Sequence, residues 1–426
     1  MSRPMASPPP AARRAPMSSR RPSARATGRR LAAPLGALIC VAAGLGGCGP
    51  SGNSGSAPVV GLRGQAPAAA QKLGFPTFAT KNTTRVGGAD PIADAAAVAR
   101  AVYPATAAAS RPPAVALVSA DDWGAALAAT SLMAAPLRAP VLFSHGADLP
   151  AASADALSVL APTGAPAAGG AQVIRVGTTA GPSNLRAASV QGPNPFALAA
   201  GVDQLNTRVR GRASQNVLAV NPAEAQYAMP AAAWAAKSGD PILFLQRDRV
   251  PPETRTALAA RQSPHIYVLG PPGVVDDAVL AQLRTLGDVK RIRGPDPVAN
   301  SVAFARFNDG IFGWGATDPG HGLLFVNEAR PLDAVAAAPL ASSGSYGPLL
   351  VLDRPEPLPP ALNAYLLDVQ PGYTRDPVRG VYNHGWIIGD QNAVSLATQA
   401  AIDSDLEIVP VNTKAKPSPS AAGQTP

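Results

Sequence analysis

Thiols, aromatic rings and charged side chains are all scarce in this chain. Its 426 residues include two cysteines, and only 5% are aromatic and 15% charged. Cys40 and Cys48 both lie near the N-terminus, so the body can hold neither a disulfide framework nor a thiolate metal site. It is nevertheless long enough to bury a core without such staples. His145, His265, His321 and His384 never come at metal-ligand spacing. There is no Gly-x-Ser-x-Gly elbow or His-Glu-x-x-His pair, and no serine stands out beside a base. A catalyst, a metal site and a cofactor are therefore not expected. With so few rings, any carbohydrate contact would have to be mainly polar.

Acidic residues are absent from the first 47 positions, which carry eight arginines followed by an apolar run from Leu31 to Leu45. A basic stretch, a short apolar run and small residues before a cut are the marks of a secretory signal. The run is too short for a comfortable bilayer span, which takes about 20 apolar residues. Leu45-Gly46-Gly47-Cys48 fits a bacterial lipobox, in which the thiol receives a diacylglycerol and becomes the mature N-terminus. The competing reading is a plain transmembrane anchor. A start at Met17 would give a signal of more ordinary length.

Removing that segment removes the basic character. The whole chain has 36 Lys+Arg and 27 Asp+Glu; without the eight early arginines the balance is 28 against 27, a net +1. A nucleic-acid reading invited by the overall charge of +9 therefore has no support.

Self-similarity organises the rest. Gly88-Ala89-Asp90-Pro91-Ile92, Gly192-Pro193-Asn194-Pro195-Phe196 and Gly294-Pro295-Asp296-Pro297-Val298 share the pattern Gly-x-(Asp/Asn)-Pro-apolar. Each opens an Ala-rich helical stretch. A strand, a helix, a Pro-introduced strand, a second helix and a strand ending in Gly then follow in the same order. The first strands are read at Ala114–Val118, Val217–Val220 and Leu323–Val326, and the first helices at Trp123–Ala135, Ala225–Ala236 and Leu332–Leu340. Strands apolar at nearly every position, alternating with helices, imply parallel sheets buried on both faces. The expected fold class is α/β, with three tandem Rossmann- or flavodoxin-like units.

These segments resemble the cell wall-binding repeat 2 proteins of Gram-positive and related bacteria. That family reads Arg-(Ile/Leu)-x-Gly-x-(Asp/Asn)-Arg-(Tyr/Phe), then Asp-Ala-Leu-Ala-Ala, Ala-Pro-Ile-Leu-Leu and a strand closing in Gly-Gly. Arg85 to Asp90 and Arg291 to Asp296 are similar to the first element. Ala125 to Ala129 and Asp333 to Ala337 are similar to the second, and Ala139-Pro140-Val141-Leu142-Phe143 and its counterparts at Asp240 and Gly347 to the third. The resemblance spans Arg85 to Ile408. It implies a compact triangular arrangement of three repeats that holds a protein non-covalently on anionic wall polymers. The chain departs from the family at Pro91-Ile92, Pro195-Phe196 and Pro297-Val298, where the family has Arg-aromatic. The acid of Asp-Ala-Leu survives only as Asp333, with Ala125 and Tyr227 in the other copies.

Each residue that could touch a ligand also has a structural reading. Asp90, Asn194 and Asp296 would either line inter-repeat surfaces or cap helices, the latter fitting the Pro that follows. Arg85, Arg291 and Arg293 would either grip phosphate or carboxylate groups or pair with acids between repeats. Asp121-Asp122-Trp123 lies where open parallel sheets bind ligands, and also suits a solvated loop with a packed Trp. Gly177 to Gly181 follows a strand like a phosphate-binding turn but lacks the required spacing.

The sequence thus divides into a lipoprotein signal peptide (1–47), a flexible tether (48–80), three repeats (81–189, 190–290 and 291–409) and a disordered tail (410–426). The expected protein is a non-catalytic envelope lipoprotein on the extracytoplasmic face of the membrane, anchored through Cys48. Its partners would be the membrane and a cell-wall polymer, not nucleic acid. The alternative is a solute-binding lipoprotein of a transport system, which would show two lobes and a cleft.

Overall fold

The computed structural model describes residues 77–411, Ser345 apart. The signal segment, Cys48, most of the tether and nearly all of the tail lie outside the described residues.

The chain enters through β1 (Thr77–Ala79), β2 (Thr83–Val86) and α1 (Pro91–Val102). The first unit comprises β3 (Val115–Ser119), α2 (Trp123–Ala129), β4 (Val141–Ser144), α3 (Ala151–Leu160), β5 (Val173–Val176) and β6 (Ala187–Val190). Helix α4 (Pro195–Arg210) leads to the second: β7 (Asn216–Val220), α5 (Ala225–Ala228), α6 (Pro230–Ser238), β8 (Ile242–Phe244), α7 (Pro252–Ala259), β9 (His265–Leu269), α8 (Asp277–Leu283) and β10 (Asp288–Ile292). Helix α9 (Pro297–Arg306) leads to the third: β11 (Gly322–Asn327), α10 (Pro331–Ala341), β12 (Leu349–Leu352), α11 (Pro360–Asp368), β13 (Gly372–Tyr373), β14 (His384–Ile388), α12 (Leu396–Asp405) and β15 (Val409–Pro410).

The protein is α/β, with three sheets of one strand order: β4-β3-β5-β6, β8-β7-β9-β10 and β12-β11-β14-β2. All the pairings within these orders are parallel. The fourth strand of the third sheet therefore comes from the start of the folded chain. Residues 83–86 stand beside β14, in the register that β6 and β10 hold beside β5 and β9, and β1 pairs antiparallel at the outer edge. The segment read as the head of the first copy closes the last one.

The repeated Gly-x-(Asp/Asn)-Pro motif follows each fourth strand and starts the helix that crosses to the next unit. Asp90, Asn194 and Asp296 cap α1, α4 and α9, accepting from the amides of Ala93 (2.8 Å), Ala197 (2.8 Å) and Ala299 (2.7 Å). Proline occupies the first turn each time, where its missing N–H costs nothing. The glycine is required by close approach. A Cβ on Gly192 or Gly294 would lie 2.5 and 2.2 Å from the amides of Leu198 and Asn300.

The Ala-rich helices α2, α6 and α10 each touch the other two and share one core with the inner faces of all three sheets. Small side chains permit that approach, and a helix apolar all round belongs in such a core. The first helix of the third unit, α10, lies where the sequence places it, while the other two depart in ways set by local chemistry. Pro230 divides the second into α5 and α6, because proline cannot supply an interior N–H. The first loses α-geometry after Ala129 and ends as a 3-10 turn over Thr130–Met133. Smaller clusters close the outer faces. Among the described residues, no helix is long and apolar enough to cross a membrane.

Candidate functional site

Open parallel sheets bind ligands beyond the carboxyl ends of their strands, where the strand order reverses. Here that edge falls between the first and third strands of each unit, and the helix crossing to the next unit starts beside it. Three equivalent junctions result.

One frame of hydrogen bonds shapes them. Asn221, after β7, donates to the carbonyl of Val274 at 3.0 Å, and Asn327, ending β11, to that of Ala393 at 2.8 Å. Arg85 and Arg291 then staple the loop after the third strand. Arg85 donates to the carbonyls of Gly389 (2.7 Å), Asp390 (2.9 Å) and Val394 (2.7 Å) and to Gln399 Oε1 (3.0 Å). Arg291 reaches the matching carbonyls of Gly270 (2.8 Å) and Val275 (2.7 Å), and also Asp277 (3.0 Å). Burial brings the Arg85 guanidinium down to about 10, still well above neutrality. In the first unit Ser189 takes the arginine's place on the edge strand. There Arg175, from the neighbouring strand, bonds the loop at Ala180 (2.9 Å).

Side chains inside this frame have diverged. Counted from the strand ends and helix caps, one position is Asp122, Glu224 or Arg330; a second is Ala125, Tyr227 or Asp333; a third is Leu198, Asn300 or Asp94. Among the described residues, only the junction closing the ring has an ion pair at these three positions. Arg330 lies 2.5 Å from Asp94, 2.8 Å from Asp333 and 3.3 Å from Asp390, and the side chains of Asp94 and Asp333 are fully buried. Asp94 also accepts from the amide of Gly88. Burial, and then the charge of Asp333, push the Asp94 carboxyl up to about 9, and burial raises Asp333 as well. The pair thus favours keeping a proton, because one guanidinium does not fully offset the burial of two carboxyls.

A carboxyl raised in the folded state binds protons that the unfolded chain releases near pH 4. This part of the stability is fully present below about pH 4 and is lost as pH rises toward 9. Asn300 fills the position of Asp94 in the second junction, accepting from Gly294 N–H at 3.1 Å. Asp94→Asn should therefore flatten the fall in melting temperature between pH 5 and pH 9, compared by calorimetry with the parent. An unchanged slope would place the titration elsewhere.

The nine candidate ligand residues do not gather into one site. Arg85 and Asp90 flank the ionic junction, Asp121, Asp122, Trp123 and Asn194 the next, and Arg291, Arg293 and Asp296 the third. Asp122 caps α2 through Ala125 N–H (2.8 Å), and Asn194 also donates to Glu253 (2.8 Å). Trp123 is half-buried against the core, with a buried indole N–H that has no partner. Asp121 and Arg293 are exposed. Asp94, Arg330 and Asp390 were not singled out from sequence, because they lie in stretches far apart in the chain. No cluster of metal-ligand type occurs among the described residues.

Residues 190–280, from the last residue of β6 to the middle of α8, match the family model for Cell wall binding domain 2 (CWB2). The match thus falls on the second unit. The recognition made on repeat motifs holds, and the match falls on the copy with the least literal family motif. No curated protein matches the chain. Among solved structures, Cwp8 from Clostridium difficile is similar at 17% identity and a TM-score of 0.57, over 77% of this chain and 52% of its own. Cwp6 from Clostridium difficile gives 15% and 0.58, over 77% and 51%. This chain spans about half the length of either, and the likeness is one of fold. The matched unit and its two neighbours share one strand order, so the same architecture recurs outside the matched residues.

Proposed function

We propose that this protein is a non-catalytic, lipid-anchored envelope protein whose CWB2-like units hold a cell-wall glycopolymer. The observation that carries the reading is the CWB2 match over 190–280, set within three sheets of identical strand order. The lipobox at Cys48 supplies attachment at one end, so wall contact by the units makes a link between membrane and wall. The clustered ionisable groups serve internal bonds: Arg85 and Arg291 staple loops, and Arg330 neutralises buried acids. That use of charge favours binding over catalysis. Three units around one shared core also differ from the two lobes and cleft of a transport receptor.

Retention of residues 77–411 on purified sacculi tests the wall contact. The expected result is sedimentation with the sacculi well above a control lipoprotein body; equal sedimentation sinks it. Mass spectrometry of the native N-terminus tests the anchor, which requires a diacylglycerol-modified Cys48.

A further inference from the structure

The helix pair on the outer flank of each unit is sealed in two units and open in one. Counting nine residues from the caps of the crossing helices gives Ala99, Asp203 and Ala305. Counting ten from the prolines that cap α3, α7 and α11 gives Leu160, Arg261 and Val369. Ala99 and Leu160 pack together in one apolar cluster, and Ala305 and Val369 in another. The second unit has an ion pair instead, with Arg261 Nη2 at 2.6 Å from Asp203 Oδ1 and both side chains more than nine-tenths buried.

That exchange is costly. Desolvating two charges is often no better than the apolar pair of similar volume, and this fold uses the apolar pair twice. Around the ion pair, α4 and α7 leave a groove of about 690 Å³. Such a volume lies in the usual range for small-ligand sites. Alanines 197, 200, 257 and 260 keep it open, while Gln204, Thr207, Glu253 and Thr256 line it with hydrogen-bonding groups.

Arg261 also donates to the carbonyls of Ser214 (2.8 Å) and Ala257 (2.6 Å), so each of its three nitrogens is already bonded within the protein and its charge is met by Asp203. Asp203 keeps Oδ2 and Glu253 keeps Oε2 as acceptors, since only their other oxygens are bonded. Two acids and two arginines balance the lining. The set calls for a ligand rich in O–H donors, without net charge. Trp234, Phe304, Phe312 and Trp314 stack on one another in the core and offer no sugar platform.

We propose that the groove between α4 and α7 is a saccharide site, taking an uncharged, hydroxyl-rich sugar unit whose hydroxyls donate to Asp203 and Glu253. The proposal rests on the wall-binding reading and names the subsite and its chemistry.

The test uses residues 77–411 and saturation-transfer NMR with two probes: uncharged glycan chains of β-1,4-linked N-acetylglucosamine, and polyglycerol phosphate. The double variant Asp203→Ala/Arg261→Leu installs the pair of the first unit. It should melt no lower than the parent and lose at least about tenfold in affinity for the glycan chains. Ala260→Trp, which fills the groove from an exposed position, should lose as much. Parent binding should persist when ionic strength is raised about tenfold, because no ion pair to ligand is involved. Glycan binding unchanged in both variants overturns the proposal, as does parent binding to polyglycerol phosphate alone. Retention on intact sacculi, run in parallel, separates the two readings. If the variants are retained like the parent, the groove fails and wall binding stands. If no protein is retained but soluble glycan binds in the expected pattern, wall binding fails and the groove stands.

Discussion

Arg330→Met should destabilise the protein by about 3–5 kcal/mol at neutral pH, because it leaves the remaining negative charge of the buried Asp94–Asp333 pair without its counter-charge. Arg330 is the only cation in salt-bridge contact with Asp94 and Asp333 among the described residues, at 2.5 and 2.8 Å. Those carboxyls come from α1, which enters the first unit, and α10, in the third, so the loss falls on the joint that closes the ring. The defect should be larger at pH 8 than at pH 5, since protons can replace the missing charge at the lower pH. Adding Asp94→Asn and Asp333→Asn should recover most of the loss, as neutral amides remove the buried charge. Urea denaturation across pH would measure all three effects. A cost of Arg330→Met below about 1 kcal/mol would show that the acids are relieved in some other way.

The second large effect is expected at Arg85. Its side chain is nearly buried and bonds three loop carbonyls and Gln399. Methionine can replace its bulk but none of its donors, and buried carbonyls left unpaired cost about 1–3 kcal/mol each. Arg85→Met should cost about 3 kcal/mol or more and speed amide exchange around Gly389–Val394. Arg291→Met should behave alike but more mildly, because one of its partners, Asp277, is exposed. Arg293→Ala, at an exposed position beside it, should stay within about 0.5 kcal/mol. If Arg293 proves as sensitive as Arg85, the division between stapling and surface arginines is wrong.

The regular part of the fold was legible because each local signal had one physical cause. Gly-x-(Asp/Asn)-Pro marks a glycine with no room for a Cβ, a cap and a first-turn proline, and all three recur. The buried strands announced themselves by runs such as Val115–Ser119 and Leu349–Leu352. The fourth strands did not. Ala187–Val190 and Asp288–Ile292 are only partly buried at the sheet edge, so their residues need not be apolar. Thr83–Val86 was harder still, because its partner β14 lies some 300 residues later. The same distance hid the ionic junction.

Sequence alone therefore determined the α/β class, the number of units, the cap motif and the near-neutral charge of the body, all of which follow from local spacing or counting. Tertiary structure decided which arginines are free and which are spent, that the first strand completes the last sheet, and that one helix pair in three stays open. Those outcomes turn on which side chains meet across the fold, and burial sets the worth of each charge once they have met.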